Sequence, residues 1–385
     1  MLRLLGTRLV AVVALALLVT LVATSAVSAA SLRWTSPTVL RETRQGVGIV
    51  DAAFNGANVA IVWQETRAHP PHITLKTSID GGLTFSSGVR FTRAQLAAVD
   101  QCGDQVMLAY TQLIGPRGWQ ITLARGAAGG TSFTRTPVTS SDRETVRLDV
   151  ACASGRVFVG WIQRAQNGYH LYLATAPLRT GVFDRTYDLG PDRGDEPRGL
   201  QLAAGGEHLY ALYGRAGDHR LEFRRWTVSD TPNYPVTSSK AQYVTARSNC
   251  TAWEPVIGAD GDRVVIAWSR IVVVKRVSTD AGRTWGPAIG WDRCPGPNTH
   301  VDGGSWPLYI AVSGRQIALS YWASGLGNWE TLLLSHDDFA TSTQVGVSSG
   351  WRADHHIGFV TVHGKVRLAD AFGVWGRWIG YRRQR

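Results

Sequence analysis

An all-β chain folded as one β-propeller, a ring of four-stranded blades, is predicted by three observations. A short apolar strand ending in an aromatic recurs at regular intervals, a Gly turn precedes nearly every copy, and an eight-residue turn motif stands twice in matching places. The recurring strands are residues 59–63, 106–110, 157–161, 209–213, 264–268 and 317–321, ending in Trp63, Tyr110, Trp161, Tyr213, Trp268 and Tyr321. A seventh copy, 366–370, lacks the aromatic. Successive aromatic markers lie 47, 51, 52, 55 and 53 residues apart, a period that suits one blade per repeat. Gly56, Gly103, Gly206, Gly261 and Gly314 sit seven residues before their markers, and Ser154 takes that place in the third copy. A tight turn favours Gly there because it takes φ > 0 without a Cβ clash.

Each marker is followed by a third strand, such as 72–76, 170–174 or 329–334, and then by a turn. Seven repeats favour seven blades, with six as the alternative. The last repeat ends at its third strand, 377–381, while residues 33–40 precede the first inner strand and resemble 285–289. Residues 33–40 are therefore predicted to be the outer strand of the last blade, which closes the ring and leaves no open edges.

The twice-used turn reads Ser78-Ile79-Asp80-Gly81-Gly82-Leu83-Thr84-Phe85 and Ser278-Thr279-Asp280-Ala281-Gly282-Arg283-Thr284-Trp285. Asp folds its carboxylate onto nearby N–H groups, Gly takes φ > 0, and the aromatic carries apolar area between sheets. Residues Ser78, Asp80, Gly82, Thr84 and Phe85, with Ser278, Asp280, Gly282, Thr284 and Trp285, form the Asp-box, or bacterial neuraminidase (BNR) repeat. On these residues the chain resembles the sialidase-like β-propellers. Repeat two (129–133) and repeat six (335–339) carry degenerate versions. Sialidases have six blades, whereas seven repeats are counted here.

For an enzyme, the resemblance implies an Arg group for a substrate carboxylate, a Tyr nucleophile activated by a Glu, and an Asp acid/base. The family's early Arg-Ile-Pro motif has no match, since residues 40–46 read Leu-Arg-Glu-Thr-Arg-Gln-Gly. Tyr309 and Tyr321 fit strand patterns better than a nucleophile's place. No catalytic residue is carried over. The preferred reading is an exported, non-catalytic module that binds a glycan, an envelope polymer or a protein. The alternative is an exo-sialidase-type glycoside hydrolase acting on acidic sugars.

Export is read from the N-terminus. Arg3 and Arg8 precede the apolar run 9–23, and Ser28-Ala29-Ala30 follows, the form of a secretory signal spanning 1–30. The propeller is assigned to 31–385, and a membrane enters only if the signal stays uncleaved, a run of that length being short for a span. The expected location is secreted or extracytoplasmic, with the protein a monomer. Four Cys in an exported chain suggest two disulfides. Of three pairings, the repeat frame favours Cys102–Cys152 and Cys250–Cys294, each joining adjacent blades. The net charge of +11 comes almost wholly from Arg, spread along the chain. That spread argues against nucleic acid, whose readers cluster their basic residues. No cofactor motif and no metal-ligand spacing is present.

In a propeller, the loops entering each blade share a face with the loops between second and third strands. Aligning inner-strand starts brings Arg147, Arg198, Glu254, His355 and His356 to one level, with Trp253, Asp302 and Trp306 nearby. Arg143, Glu144, Glu196, Arg352 and Asp354 flank them. Glu65, Arg67, Arg164, Arg270, Trp322 and Trp375 come from second-to-third-strand loops. Arg grips carboxylates bidentately and Trp faces stack on sugar rings, so this set is the ligand-binding candidate. The opposing structural readings are ion pairs at the channel mouth, exposed loop His residues, and Trp packing between blades.

Overall fold

Seven antiparallel sheets stand side by side in the computed structural model, one for each repeat. The structure describes residues 32–42, 46–65, 68–115, 118–141, 143–166, 168–192, 199–215, 220–228, 237–245, 253–269, 273–290, 305–323, 329–348, 353–374 and 378–385. Blade one runs Val47–Asn55, Asn58–Glu65, His72–Ser78 and Val89–Thr92. Blade two runs Ala94–Cys102, Gln105–Leu113, Trp119–Ala127 and Thr134–Ser141. Blade three comprises Thr145–Ala153, Arg156–Ala165, Gly168–Pro177 and Arg185–Asp192. Blade four has Leu200–Gly205, His208–Arg215 and Arg220–Thr227, with its outer edge in two pieces, Thr237–Ser238 and Gln242–Tyr243. Blade five has Trp253–Asp260, Arg263–Ser269 and Val273–Ser278, and a bridge from Lys275 to Ile289 marks its outer edge. Blade six is Ser305–Ser313, Gln316–Ala323, Trp329–Ser335 and Thr343–Ser348. Blade seven is Ala353–Val362, Lys365–Val374, Trp378–Arg383 and the N-terminal Thr38–Glu42.

The blade count is seven, and the N-terminal strand does close the ring. Regular pairing covers Thr38 to Glu42 against Tyr381 to Trp378, a shorter span than the 33–40 predicted. Trp34 joins by a single bridge to Gln384.

The second strands read as unbroken apolar runs because each is covered on both faces by neighbouring blades. Residues 59 to 63 are all buried, and so are 106 to 110. Each of seven apolar clusters straddles one pair of adjacent blades. The cluster that shuts the ring packs Ala369, Ala371, Ile379 and Tyr381 of blade seven against Val59, Ile61 and Trp63 of blade one.

Both Ser-x-Asp turns use one set of hydrogen bonds. Ser78 Oγ donates to Asp80 Oδ1 (2.7 Å) and accepts from Gly82 N–H (2.9 Å), while Thr84 donates its N–H and hydroxyl to Asp80. Ser278, Asp280, Gly282 and Thr284 repeat the pattern. A Cβ on Gly82 would lie 2.0 Å from the Tyr381 ring, and one on Gly282 2.4 Å from Phe223, so close approach as well as φ requires Gly. Blade six, predicted to be degenerate, builds the same turn: Ser335 donates to Asp337, and Thr341 donates twice to Asp337. Asp338 (φ 61) and Phe339 (φ 66) adopt the left-handed conformation in place of Gly, and Phe339 itself supplies the buried aromatic.

Side chains stitch the inner strands together along the channel. Val99 N–H of blade two donates to Asp51 Oδ2 of blade one (2.8 Å). Cys152 N–H of blade three donates to Asp100 of blade two (2.9 Å), and Leu202 N–H of blade four to Asp149 of blade three (2.6 Å). The Cys102–Cys152 disulfide, Cα atoms 5.7 Å apart, joins the ends of inner strands two and three. This is one of the two predicted pairings; Cys250 and Cys294 lie outside the described residues.

Candidate functional site

Among the described residues, two cavities are candidates for a site. The first is the central channel, about 560 Å³, lined by inner strands from all seven blades. Its carboxylates are already engaged. Asp51, Asp100 and Asp149 each accept an N–H from the next blade, and Asp51 and Asp149 accept a second from the residue that follows them. Asp100 also lies within 4.8 Å of both disulfide sulfurs, whose S–S bond leaves no thiolate to ligate a metal. These groups are interblade fasteners.

Loss of hydration pushes the Asp100 carboxyl up to about 7, with the Asp51 charge adding to the rise, although N–H groups of Gln101 and Cys152 oppose it. The same causes push Asp149 well above its ordinary range. A folded pKa above the unfolded value near ~3.9 makes the folded state hold the extra proton. Stability from that proton is complete below the unfolded value and lost as pH rises toward 7. The melting temperature is expected to fall between pH 4 and pH 7, and Asp100→Asn to flatten that slope. An unchanged slope in the variant would remove Asp100 as its cause.

The second cavity is a cleft of about 410 Å³ on the blade-entry face, between blades two and three. Inner strands contribute Gln95, Leu96 and Arg147, second strands Thr111 and Arg164, and third strands Trp119 and Tyr169. Glu144, from the loop entering blade three, completes the rim. Register slips between Thr145 and Arg147, so an extra residue, Val146, bulges next to Arg147, a device that re-aims a side chain. Arg147 Nη1 donates to Val146 O (3.1 Å). Arg164 N–H donates to Glu144 O (2.9 Å) and holds the entry loop down. The Arg164 and Glu144 side chains stand 4.0 Å apart, 65% and 61% exposed. So open an ion pair contributes little and leaves Arg164 able to turn to a ligand.

The predicted site residues divide. Arg147, Glu144 and Arg164 meet in this cleft, with Arg143 exposed beside it. Glu65 is buried instead, held by Arg41 (2.8 Å) and His72 (3.3 Å). His355 and His356, read as mouth residues or exposed loop residues, are only 2% and 1% exposed and belong to the inner strand of blade seven. His355 Nδ1 lies 2.9 Å from Asp370, whose other oxygen accepts from Arg382 Nε (2.8 Å). His356 packs at a tilt against the Tyr309 ring and faces Asp51 at 3.5 Å. Trp253, Glu254 and Trp306 are described only as strand backbone, as are Trp322 and Asp354. Arg67, Glu196, Arg198, Arg270, Asp302, Arg352 and Trp375 lie outside the described residues.

Trp119 and Tyr169 were not singled out from sequence. Their signal is an aromatic directly after the Gly that ends a second-to-third-strand loop, Gly118-Trp119 and Gly168-Tyr169. A Tyr–Glu pair was also missed. The Tyr213 hydroxyl donates to Glu222 Oε1, which also accepts from Arg224 Nε (2.9 Å). The pair is buried among the strands of blade four, where Tyr213 and Glu222 are cross-strand partners.

No family model and no curated protein matches this chain. Solved structures do. A polysaccharide lyase of family PL25, an ulvan lyase bound to -[GlcA(1-4)Rha3S]-, superposes with a TM-score of 0.55 at 9% identity, covering 90% of this chain and 95% of that one. The β-propeller domain of the trilobed protease from Pyrococcus furiosus gives 0.53 at 10% identity, over 88% and 95%. The phage phi92 endosialidase gives 0.51 at 9% identity, over 92% and 69%. At such identities the likeness is one of fold: this chain shares the β-propeller of sialidase-like proteins and polysaccharide lyases.

Proposed function

We propose that this β-propeller is an exported, non-catalytic glycan-binding module that holds a carboxylate-bearing saccharide in the cleft between blades two and three. The observation that carries the reading is the convergence of Arg147 and Arg164 with Trp119 and Tyr169 around one opening. Guanidinium forks match a carboxylate, and aromatic faces at a cleft rim suit the apolar faces of sugar rings. Two propellers of similar fold are named for saccharides, the ulvan lyase and the endosialidase. The disulfide between blades two and three fits an oxidising compartment and stiffens the two blades that form the cleft.

The test is binding of an oligoglucuronate by calorimetry. Arg147→Ala and Arg164→Ala are each expected to weaken binding about tenfold or more, the scale of a lost charge-assisted hydrogen bond. Affinity unchanged in both variants refutes the cleft as the site.

The hydrolase reading would use a Tyr–Glu pair, and the pair found, Tyr213–Glu222 beside Arg224, is buried between strands of blade four and lines neither cavity. It makes the opposite forecast for a fluorogenic sialoside: turnover by the folded protein, abolished in Tyr213→Phe. The binding-module reading expects no turnover.

A further inference from the structure

The described chain begins at one corner of the ring, on the face opposite the cleft. Arg385 N–H donates to Arg33 O (2.8 Å), and Trp34 bridges to Gln384, so residues 1–31 lead into the base of blade seven. The first Ser-x-Asp turn packs against the same corner. A Cβ on Gly81 would lie 2.5 Å from Val362, and Arg383 Nη1 reaches Gly81 O at 3.4 Å. Three apolar side chains are exposed on this face: Ile79 (60%) and Leu83 (47%) in the turn of blade one, and Val366 (50%) at the start of the second strand of blade seven.

Basic side chains share this face. Arg33, Lys365 and Arg385 are exposed and Arg383 is half-buried, and none of the four pairs with a carboxylate among the described residues. The nearby titratable groups are few. His363 is exposed in the turn before Lys365. Asp80 has its carboxylate folded inward onto Ser78 and Thr84. Four basic side chains thus stand on this face with Asp80, whose carboxylate is bonded to Ser78 and Thr84 of its own turn.

We infer that this corner of blades seven and one docks on an anionic lipid bilayer, leaving the blade-entry face turned toward solvent. Basic side chains around exposed aliphatic ones match an anionic headgroup layer over acyl chains. The chain that leads into the corner agrees. Residues 1–31 carry an apolar run, 9–23, behind Arg3 and Arg8, so the part of the propeller nearest a membrane during export, or beside a retained tether, is this one. The inference stands apart from the glycan reading, because it uses another face and other residues.

The experiment is co-sedimentation of residues 32–385, which hold every strand of all seven blades, with vesicles of equal parts phosphatidylglycerol and phosphatidylcholine. The full chain runs alongside. Binding is expected to the mixed vesicles and not to phosphatidylcholine alone. Lys365→Glu with Arg385→Glu is expected to weaken it at least about tenfold, since each basic residue near the surface counts separately. Arg135→Glu with Arg185→Glu, on exposed outer strands of blades two and three, changes net charge equally and is expected to cost less than about threefold. Ile79→Ser with Leu83→Ser reports on the apolar tip without altering charge. Melting curves show that each variant is folded. Three results overturn the proposal: no binding of 32–385, including the case where only the full chain sediments; equal binding to uncharged vesicles; or an equal loss in the outer-strand control.

Discussion

Replacing Asp370 with Ala is expected to cost about 3–5 kcal/mol of stability, the scale for stripping one partner from a buried ion pair. Asp370 is fully buried in the second strand of blade seven, between His355 and Arg382. Arg382 is further spread over the rings of Trp34 and Phe372, and His355 stacks on Phe372. The network therefore ties the inner, second and third strands of blade seven to the segment that closes the ring. Burial alone raises the Asp370 pKa, but the charges and hydrogen bonds of His355 and Arg382 pull it below the ordinary carboxylate value. The folded value being depressed, its contribution is present above the unfolded value near ~3.9 and lost as pH falls through the folded one. Chemical denaturation of Asp370→Ala at pH 7 gives the magnitude. At strongly acidic pH the gap from the native protein should narrow. An Asp370→Ala protein as stable as the native one at pH 7 would show that blade seven closes without this network.

The second large effect is expected from the Cys102–Cys152 disulfide, which closes a loop over a sequence separation of 50 residues. In the chain-entropy account, a loop of that size stabilises by about 4 kcal/mol through restriction of the unfolded chain. The bridge spans the ends of adjacent inner strands, beside the Asp100 contact to Cys152 N–H. The double variant Cys102→Ala and Cys152→Ala should lower the free energy of unfolding by that amount. It should also loosen the cleft between the same two blades, read as a weaker response to oligoglucuronate at constant temperature. An unfolding free energy within about 1 kcal/mol of native would mean that the interblade apolar cluster already holds these blades.

The ring was legible because its signals are local and repeat. Markers near Trp63, Tyr110 and Trp161 are buried wherever a blade is covered on both faces, and seven copies give seven sheets. The degenerate blade-six copy still builds the turn because its hydrogen bonds need Ser335, Asp337 and Thr341, all present, whereas the missing Gly only makes the conformation costlier. Phe339 accepts φ > 0 there, its ring being buried and covered by Lys275. The site was legible only in part. Counting back from the marker put Arg147 near the start of its inner strand, where it lines a cleft beside the bulge at Val146. The same count placed His355 at the mouth, where its fate depends on Asp370 and Arg382, which come from the next two strands. Trp119 and Tyr169 enter the cleft from third strands, which aligning inner strands does not consult.

The proposed cleft is one that selects a carboxylate on a saccharide. The most direct measurement compares the affinity of the native protein for an oligoglucuronate with that for its carboxyl-reduced counterpart, alike in length and linkage. A preference of at least about tenfold for the acid is expected, shrinking in Arg147→Ala. Equal affinity for the two sugars, or a preference that survives the loss of both Arg147 and Arg164, would contradict it.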